Sequence, residues 1–313
     1  EYDVIVVGGG PAGTTCANLL TAHGHRVLLV EKGQHPRFCI GESLLPATAP
    51  IWQRLGLVDR FAAAGFVPKY GAYFCSADGS NVEYFHFPDA AGGKMGHAYE
   101  VKRDAFDKVL WDRAVEVGAQ CVDQCKVRSA LLEGDRVVGV ELEHGGETHR
   151  VHARLVMDCT GRQSLLAKQL DLRRPDPFLD KIALYTHYPD VVRSTGDDRG
   201  TIGIVATSFG WMWFIPFADG GASVGAVVGN RWFHDRKRAG ADADAIWAEI
   251  LELAPHVAAR VAGTTRSRPV EITANFQHRC SRIAGDGWVM VGDSGAFVDP
   301  VFSSGVHLAM TGG

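Results

Sequence analysis

Residues 1–32, EYDVIVVGGGPAGTTCANLLTAHGHRVLLVEK, decide the fold of this chain. The apolar run VIVV (residues 4–7) is typical of a strand that is covered on both faces. Gly8, Gly10 and Gly13 then form the pattern G-x-G-x-x-G, and a second apolar run, VLLV, follows the predicted helix. This order predicts a dinucleotide-binding fold, because the glycines permit a tight turn and a close approach of the backbone to a pyrophosphate.

The residues around this turn supply further groups that a dinucleotide needs. Pro11 suits the first turn of the helix, which Ala12 and Gly13 continue. Glu31 lies 18 residues beyond Gly13 (31 minus 13), where a carboxylate accepts hydrogen bonds from an adenosine ribose. Together with the adjacent Lys32, these residues form the predicted cofactor site near the N-terminus.

Composition narrows the class of protein. At 313 residues the chain can bury one large core or two closely associated domains, and its net charge of -4 without a basic block favours neither a nucleic-acid nor a membrane partner. The seven cysteines have no zinc-binding spacing, so we predict no metal site and expect reduced thiols in a cytoplasmic enzyme. No apolar run reaches membrane-spanning length. The chain stops shortly after a glycine-rich turn, and we expect a C-terminal region beyond it.

Two later segments indicate a flavin. LVMDCTGRQS places Asp158, Gly161 and Arg162 after a meander of strands, and DGWVMVGDSGAFVDP places Asp293 after an apolar strand and before a predicted helix. An aspartate at such a position can bind the ribityl hydroxyls of a flavin, while a helix N-terminus offers N–H groups to its phosphate or ring carbonyl. Both segments are therefore assigned to the cofactor site.

These elements, in this order, resemble the FAD-dependent monooxygenase superfamily, whose type member hydroxylates p-hydroxybenzoate. The resemblance covers nearly the full chain. It implies an α/β fold in which an FAD-binding Rossmann-like domain of the glutathione-reductase type carries an inserted, mostly antiparallel β-sheet substrate domain. We assign the FAD-binding domain to residues 1–70, 98–170 and 270–313, and the substrate-side sheet domain to residues 71–97 and 171–269.

Three side chains outside the glycine motif are expected at the flavin. EVKRDAFDKVL matches the segment of that superfamily whose arginine, here Arg103, contacts the flavin. Arg37 in RFCIGES is a second candidate, and Ser43 of the same segment is included in the predicted cofactor site. A surface salt bridge is the alternative for either arginine.

The middle of the chain changes to extended strands. AYFCSADGSNVEYFHF predicts a hairpin that turns at Asp78-Gly79, and KIALYTHY, GTIGIVAT, WMWFIPF and GASVGAVVG predict a mostly antiparallel sheet. In ADADAIWAEILELAPHV, four apolar residues fall on one face and predict a single helix: Ile246, Ile250, Leu253 and Val257. A flavin ring would lie at the boundary between this sheet and the dinucleotide fold.

Two motifs narrow the resemblance to the flavin-dependent halogenases. GWMWFIPF contains W-x-W-x-I-P as Trp211, Trp213, Ile215 and Pro216, and GAFVDPVFSSG contains F-x-x-P-x-x-S-x-G around Pro300. In that family the tryptophan motif is thought to keep the flavin site from acting as a monooxygenase. Alternate tryptophans are also typical of a packed strand face, and a related W-x-F-P pattern occurs in flavin reductases of isoprenoid chains, so these alternatives stay open.

The second motif predicts a halide site. Consecutive backbone amides at a turn can line a small anion pocket, and the resemblance implies that the amides of Ser304 and Gly305 hold chloride or bromide. Pro300 and Gly305 are also assigned to the flavin site. The alternative is a glycine-permitted turn that only supports the flavin ring.

Lys69 lies in GFVPKYGA, a run that is otherwise uncharged. A buried ammonium group is costly unless it is paired or used in chemistry. The run matches the region in which halogenases carry their essential lysine. The resemblance therefore implies that reduced flavin, oxygen and halide yield hypohalous acid, which Lys69 relays to an electron-rich ring. A solvated lysine on a turn is the alternative.

One departure from the family pattern concerns the substrate. Tryptophan halogenases carry a glutamate in the segment Pro-x-Glu-Ser-Thr-Gly, and Phe302 occupies that position here. The departure argues against free tryptophan and favours phenols or pyrroles, which their own hydroxyl or ring nitrogen activates, either free or tethered to a carrier protein.

We therefore predict a two-component halogenase of natural-product, including antibiotic, biosynthesis. A separate flavin reductase would supply FADH2, because no second G-x-G-x-x-G is found in the chain. An FAD-dependent aromatic hydroxylase or an isoprenoid-chain reductase of the same superfamily is the alternative.

Overall fold

The computed structural model describes residues 1–90, 95–174, 180–274, 278–297 and 299–313. Its strands are β1 (Tyr2–Val7), β2 (Val27–Val30), β3 (Val67–Lys69), β4 (Gly71–Ser76), β5 (Glu83–His86), β6 (Ala98–Glu100), β7 (Gln120–Val122), β8 (Cys125–Glu133), β9 (Arg136–His144), β10 (Glu147–Asp158), β11 (Arg173–Arg174), β12 (Lys181–Tyr188), β13 (Ile202–Thr207), β14 (Gly210–Pro216), β15 (Ala222–Gly229), β16 (Glu271–Ala274), β17 (His278–Cys280), β18 (Ala284–Gly285), β19 (Trp288–Met290) and β20 (Ala296–Phe297). Its helices are α1 (Pro11–Ala22), α2 (Ala49–Leu55), α3 (Val58–Ala63), α4 (Phe87–Ala90), α5 (Arg103–Glu116), α6 (Leu165–Gln169), α7 (Asn230–Arg238), α8 (Ala243–Glu252), α9 (Pro255–Arg260) and α10 (Gly305–Gly312). In these ranges no helix is long and apolar enough to cross a membrane.

The first sheet has the strand order β18-β19-β10-β1-β2-β7, and β8 and β9 join β10 in an antiparallel meander. β1 pairs in parallel with both β2 and β10. Val4 and Val6 pack in one apolar cluster with α1 and α5, whereas Ile5 and Val7 pack in another with the meander. Both faces of β1 are thus covered, which confirms the strand predicted for residues 4–7.

The second sheet has the order β16-β12-β15-β14-β13-β4-β5 and is antiparallel except where β13 pairs with β4. The predicted hairpin is confirmed, since β4 pairs with β5 and the N–H of Gly79 donates to the carbonyl of Ser76 at 2.9 Å. Helices α7 to α9 cover one face of this sheet. Its other face packs against Phe38, Ile40 and Phe297 from the segments that flank the first sheet.

Two predictions about the second half of the chain are wrong. Residues 243–260 form two helices, α8 and α9, because Pro255 has no N–H with which to continue α8. Ile246, Ile250 and Val257 are buried, but Leu253 lies at the break and is 40% exposed. The boundary placed at residue 270 does not hold either, because β16 pairs with β12 in the second sheet.

The segment after Asp293 also differs from the prediction. A short 3-10 turn (Gly292–Ser294), strand β20 and a second 3-10 turn (Pro300–Phe302) follow β19, and a helix begins only at Gly305. The hydroxyl of Ser294 donates to the carbonyl of Val291, which closes the first turn, and to the carbonyl of Asp158, which ties this turn to the end of β10. The N-terminus of α10 therefore follows Pro300 rather than Asp293.

A two-stranded sheet formed by β3 and β6 completes the part of the fold that carries the site. Lys69 pairs with Ala98, and Ser43 forms a bridge with Glu100 on the other edge of β6. Three segments that are distant in sequence thus lie side by side.

Candidate active site

The carboxyl ends of four parallel strands lie together and form the floor of the candidate site. Val7 of β1 pairs with Val30 of β2 and with Asp158 of β10, and Asp158 pairs with Met290 of β19. The loops that follow these strands therefore begin at one edge of the sheet. Ligands of α/β folds bind at this edge.

The three glycines of the first loop have different surroundings. A Cβ placed at Gly8 would lie 2.4 Å from the carbonyl oxygen of Cys159, and one at Gly13 would lie 1.9 Å from the carbonyl oxygen of Gly8. At Gly10 the nearest atom is Nη2 of Arg37 at 3.7 Å. Gly8 and Gly13 thus allow the strand and helix to pack closely, while Gly10 leaves room above the backbone. The buried Pro11 and Ala12 form the first turn of α1 beside this space.

Glu31 lies at the end of β2 and is tied to the same loop. Its carboxylate accepts hydrogen bonds from the N–H groups of Gly9 (2.8 Å) and Gly33 (2.9 Å) and from Arg37 (3.3 Å). Burial acts to raise the pKa of Glu31, but Arg37 and the two amides outweigh it and hold this pKa below its ordinary value. The carboxylate is therefore ionised and held beside the glycine turn, whereas the neighbouring Lys32 is exposed.

Both candidate arginines meet at Asp107, a residue that the sequence reasoning missed. Arg103 is 6% exposed and donates to both oxygens of Asp107, at 2.7 and 3.0 Å, and to the carbonyls of Ile40 and Gly41. Arg37 reaches the same carboxylate at 3.3 Å. Burial opposes the charge of Arg103, but Asp107 raises its pKa above the ordinary value. The alternative of a surface salt bridge is wrong for Arg103, since its ion pair is buried. The spacing of four residues between Arg103 and Asp107, which suits neighbours on one face of a helix, is the signal that could have identified Asp107.

Asp158 holds a turn instead of offering a free carboxylate. Oδ1 accepts from the N–H and hydroxyl of Thr160, and Oδ2 accepts from the N–H of Leu166 at 2.7 Å. Gly161 follows with φ +60, a left-handed conformation that favours glycine, and a Cβ there would meet no atom within 4 Å. Asp158 thus shapes the loop that presents Gly161 and the half-buried Arg162 to the site.

Asp293 is the carboxylate that the structure leaves available. No hydrogen bond to its side chain occurs within the described part of the chain. Burial raises the pKa of Asp293 to about 6, against the attraction of Arg162 and Arg103. These two arginines, which come from different segments, therefore lie near enough to Asp293 to influence its charge.

The tryptophan motif lies on the face of the second sheet that looks toward this edge. Trp213 is buried, donates from Nε1 to the hydroxyl of Ser223 at 3.1 Å, and has its ring centroid 5.9 Å from that of the half-buried Trp211. Pro216 ends β14. Val301 of the Pro300 turn packs against the same cluster. The two motifs are thus brought together between the sheets, as a packed face.

The turn after Pro300 presents backbone amides at the start of α10. Asp299 accepts a hydrogen bond from the N–H of Val301 at 3.0 Å, and Ser303 adopts φ +55. Ser304 then caps the helix that begins at Gly305, where an added Cβ would meet no atom within 4 Å. Phe302 is 69% exposed and places no carboxylate here.

Lys69 is buried, which contradicts the alternative of a solvated turn residue. Its side chain is 1% exposed, and Nζ donates to the hydroxyl of Ser43 at 2.7 Å and to the carbonyl of Leu44 at 3.0 Å. Nζ also lies 4.0 Å from Oε1 of Glu100 and 5.3 Å from the ring centre of Phe87. Burial lowers the pKa of Lys69, and Glu100 opposes this shift only in part.

Glu100 is the second residue that the sequence reasoning missed. It is fully buried, and burial raises its pKa to about 8 despite Lys69 and a hydrogen bond from Ser43 at 3.1 Å. The prediction that Ser43 binds the cofactor is not supported, because its hydroxyl is committed to Lys69 and Glu100. A glutamate between the apolar residues Tyr99 and Val101 is the signal that the sequence offered.

These residues fit an FAD. Open space above Gly10 at the start of α1 suits a pyrophosphate, and the ionised Glu31 beside it suits a ribose. Asp293, whose side chain accepts no hydrogen bond from the described residues, can accept hydrogen bonds from the hydroxyls of a ribityl chain. All three groups lie on loops at the same edge of the first sheet, which faces the tryptophan side of the second.

Comparison with known proteins agrees with this geometry. The family model described as an FAD binding domain matches residues 1–312. The chain is 33% identical over 311 residues to a tryptophan 2-halogenase of Chondromyces crocatus, covering 98% of this chain and 58% of that protein. It is 31% identical over 316 residues to the 1H-pyrrole-2-carbonyl-(peptidyl-carrier protein) brominase of Pseudoalteromonas luteoviolacea, covering 100% of this chain and 75% of that protein.

Solved structures show the same relationship. The myxobacterial chondrochloren halogenase superposes with a TM-score of 0.92 at 34% identity, covering 99% of this chain and 72% of that one. A protein from Cytophaga hutchinsonii described as a flavoprotein/dehydrogenase has a TM-score of 0.88 at 32% identity, covering 99% of this chain and 75% of that one. The chain spans little more than half the length of some relatives, such as the 58% of the tryptophan 2-halogenase. By its FAD-binding architecture and these similarities, the chain belongs to the FAD-dependent halogenases.

Proposed function

We propose that this chain carries the FAD and lysine sites of a two-component halogenase that chlorinates or brominates an electron-rich phenol or pyrrole. The observation that carries the proposal is the burial of the Lys69 ammonium group beside Glu100. Lysine is almost never fully buried unless it is paired or used in chemistry. Bound FAD, supplied reduced, would provide hypohalous acid from oxygen and halide.

The surroundings of Lys69 suit a relay. Two of its three N–H donors are taken by Ser43 and Leu44, which orient Nζ. The lowered pKa of Lys69 makes the neutral amine more accessible. That amine can hold HOX by a hydrogen bond, or form N–X with release of water. Transfer of X to an aromatic C–H then returns the proton and restores the amine.

The halide and flavin surroundings are part of the same proposal. The amides of Ser304 and Gly305 would bind chloride or bromide, because consecutive N–H groups at a turn and helix N-terminus attract an anion. Trp211, Trp213 and Pro216 would shape the wall that faces the flavin ring. The second sheet would then form the substrate side of the site.

The substrate class follows from Phe302 and from the state of Glu100. No carboxylate replaces the missing glutamate at position 302, and burial favours the protonated form of Glu100 at neutral pH. A ring that supplies its own activation is therefore preferred. The name of one relative supports this, since that protein acts on a carrier-bound pyrrole. The name of another relative is tryptophan 2-halogenase, and tryptophan is the substrate that the departure at Phe302 argues against. A carrier-tethered substrate and a partner flavin reductase belong to this proposal.

The test uses the full-length protein with a flavin reductase, NADH, FAD and a halide. We expect halogenated phenols or pyrroles, detected by isotope pattern in mass spectrometry, and no product without halide. Oxidation of NADPH by the isolated protein, stimulated by an aromatic substrate and yielding hydroxylated product, would favour the hydroxylase instead. Halide-independent reduction of an isoprenoid chain would favour the reductase.

The cofactor part has a separate test. Gly10→Val adds a branched side chain where a pyrophosphate would lie, and we expect loss of FAD binding by fluorescence titration with unchanged circular dichroism. Tight FAD binding by this variant would show that the cofactor lies elsewhere.

A further inference from the structure

Glu42 and His187 form a buried pair that links the segment beside β6 to the second sheet. Oε1 of Glu42 lies 3.0 Å from Nε2 of His187, and their side chains are 1% and 12% exposed. Glu42 belongs to the loop before α2, whereas His187 lies on β12 of the second sheet. The His187 ring is held edge-on between Phe38 and Phe217, with ring centres 5.4 and 5.2 Å away.

The segment 42–44 connects this pair to Lys69. The carbonyl of Glu42 accepts from the N–H of Val101 at 2.8 Å, and the N–H of Leu44 donates to the carbonyl of Tyr99 at 3.1 Å. The segment therefore runs beside β6 as an extended strand does. Because side chains alternate along an extended segment, Glu42 and Ser43 point to opposite faces. Ser43 and Leu44 hold the Lys69 ammonium, and the neighbouring side chain in the segment reaches His187.

The imidazole of His187 lies 3.0 Å from the Glu42 carboxyl group. Neither oxygen of Glu42 accepts a hydrogen bond from the described residues. Arg103 and Glu100 are the other charged groups near enough to interact with Glu42. Around the imidazole, Lys102 lies over Phe217 and is paired with Asp219, and Arg268 lies over Phe38 and is paired with Glu271. Removing the imidazole would take away the 3.0 Å contact of the buried Glu42 side chain with the second sheet.

We infer that Glu42 and His187 are positioning residues that anchor segment 42–44 to the second sheet and so hold the Lys69 amine in place. The inference rests on the proposed relay role of Lys69 for its catalytic consequence, but not for its structural one. Loss of the anchor moves Ser43 and Leu44 together, and Lys69 with them.

The first test measures the position of Lys69 without any turnover. The full-length protein is labelled with acetic anhydride, and acetylation of Lys69 is followed by peptide mass spectrometry. We expect His187→Ala to accelerate labelling by about tenfold or more, because it removes both the contact with Glu42 and the ring that packs between Phe38 and Phe217. His187→Gln should restore most of the protection, since its amide can donate to Glu42.

Asp219→Asn is the matched control, because it breaks another ion pair across the sheets, Lys102–Asp219, whose side chains are largely exposed. It should leave labelling of Lys69 unchanged. Glu42→Gln replaces the carboxyl group that contacts His187 and should also accelerate labelling, which keeps the test valid if His187→Ala does not fold. Wild-type labelling rates in both Glu42→Gln and His187→Ala, or equal acceleration in Asp219→Asn, would overturn the inference.

The second test measures halogenated product per reduced flavin consumed. We expect about a tenfold fall in His187→Ala, with unchanged FAD affinity and recovery in His187→Gln. Faster labelling in a protein that never halogenates, wild type included, would support the anchor and overturn the proposed function. A fall in product with unchanged labelling of Lys69 would overturn the anchor instead.

Discussion

Two buried ion pairs, Arg103–Asp107 and Lys69–Glu100, differ in how completely their charged groups are hydrogen-bonded. Arg103 donates to both carboxylate oxygens of Asp107 at 2.7 and 3.0 Å, and two backbone carbonyls accept from its remaining nitrogen. Lys69 and Glu100 approach only to 4.0 Å, and Ser43 lies between them.

The difference decides which pair can change its protonation. Full pairing outweighs burial at Arg103, whose pKa is raised, so the charge is permanent. Incomplete pairing leaves burial dominant at the other pair, where the pKa of Lys69 is lowered and that of Glu100 is raised to about 8. The fully paired Arg103 and Asp107 thus keep their charges and stabilise the fold. The partly paired Lys69 and Glu100 have shifted pKa values, so that a change in their protonation becomes accessible.

The largest effect is expected from breaking the Arg103–Asp107 ion pair. Asp107→Ala leaves Arg103 and Arg37 without their shared carboxylate, so the free energy of unfolding should fall by about 3–5 kcal/mol. Urea denaturation measures this. Asp112→Ala on the same helix is the control, because its ion pair with Lys108 is exposed and should contribute well under ~1 kcal/mol. Equal losses in the two variants would contradict the comparison.

Removing the reactive partner should affect chemistry instead of folding. Lys69→Ala should lower halogenated product by on the order of a hundredfold or more, because the proposed relay group is lost. FAD binding and flavin oxidation should stay near normal. Lys69→Arg should also fail, since a guanidinium keeps the charge but is a far poorer nucleophile. Lys102→Ala, at an exposed lysine, is the control. Normal halogenation by Lys69→Ala would remove the relay.

Glu100→Gln tests the comparison through the pH dependence of the free energy of unfolding. The folded-state pKa of Glu100, about 8, lies above its ordinary value of 4.5, so the folded protein holds this proton more tightly than the unfolded chain. Its contribution to stability is complete below 4.5 and is lost as pH rises to about 8. The stability of wild type relative to Glu100→Gln should fall across this window in urea titrations. A constant difference would show that Glu100 is not perturbed.

Asp293 extends the comparison to a carboxylate that accepts no hydrogen bond from the described residues, and the smallest effect is expected there. Its pKa of about 6 means that it is protonated below this pH before FAD binds. Hydroxyl donors of the ribityl chain favour the ionised form, so FAD affinity should weaken by up to about tenfold per pH unit below 6. Asp293→Asn should show a flat profile in fluorescence titrations. A pH-dependent affinity that persists in Asp293→Asn would assign the effect to another group.

The local elements were largely readable from sequence. The β1 strand, the glycine turn and the hairpin at Asp78-Gly79 follow from apolar periodicity and from turn chemistry, which act over a few residues. Pro255 also indicates the break between α8 and α9, but the apolar residues on both sides of it favoured the prediction of a single helix. Asp107 could have been found from its spacing to Arg103.

By itself, the sequence determined that this chain folds as an FAD-binding protein, because G-x-G-x-x-G, Glu31 and Gly292-Asp293 each follow an apolar strand in the expected order. Its resemblance to the halogenases rested on the tryptophan motif, the Pro300 motif and the segment around Lys69. The tertiary structure alone decided that Lys69 meets Glu100 and that Glu42 meets His187. These contacts depend on the registers of β3, β6 and segment 42–44 and on the packing of two sheets, which no local pattern encodes. The burial that shifts the pKa values of Lys69 and Glu100 arises from that packing, so the reactive character of the site is a property of the fold.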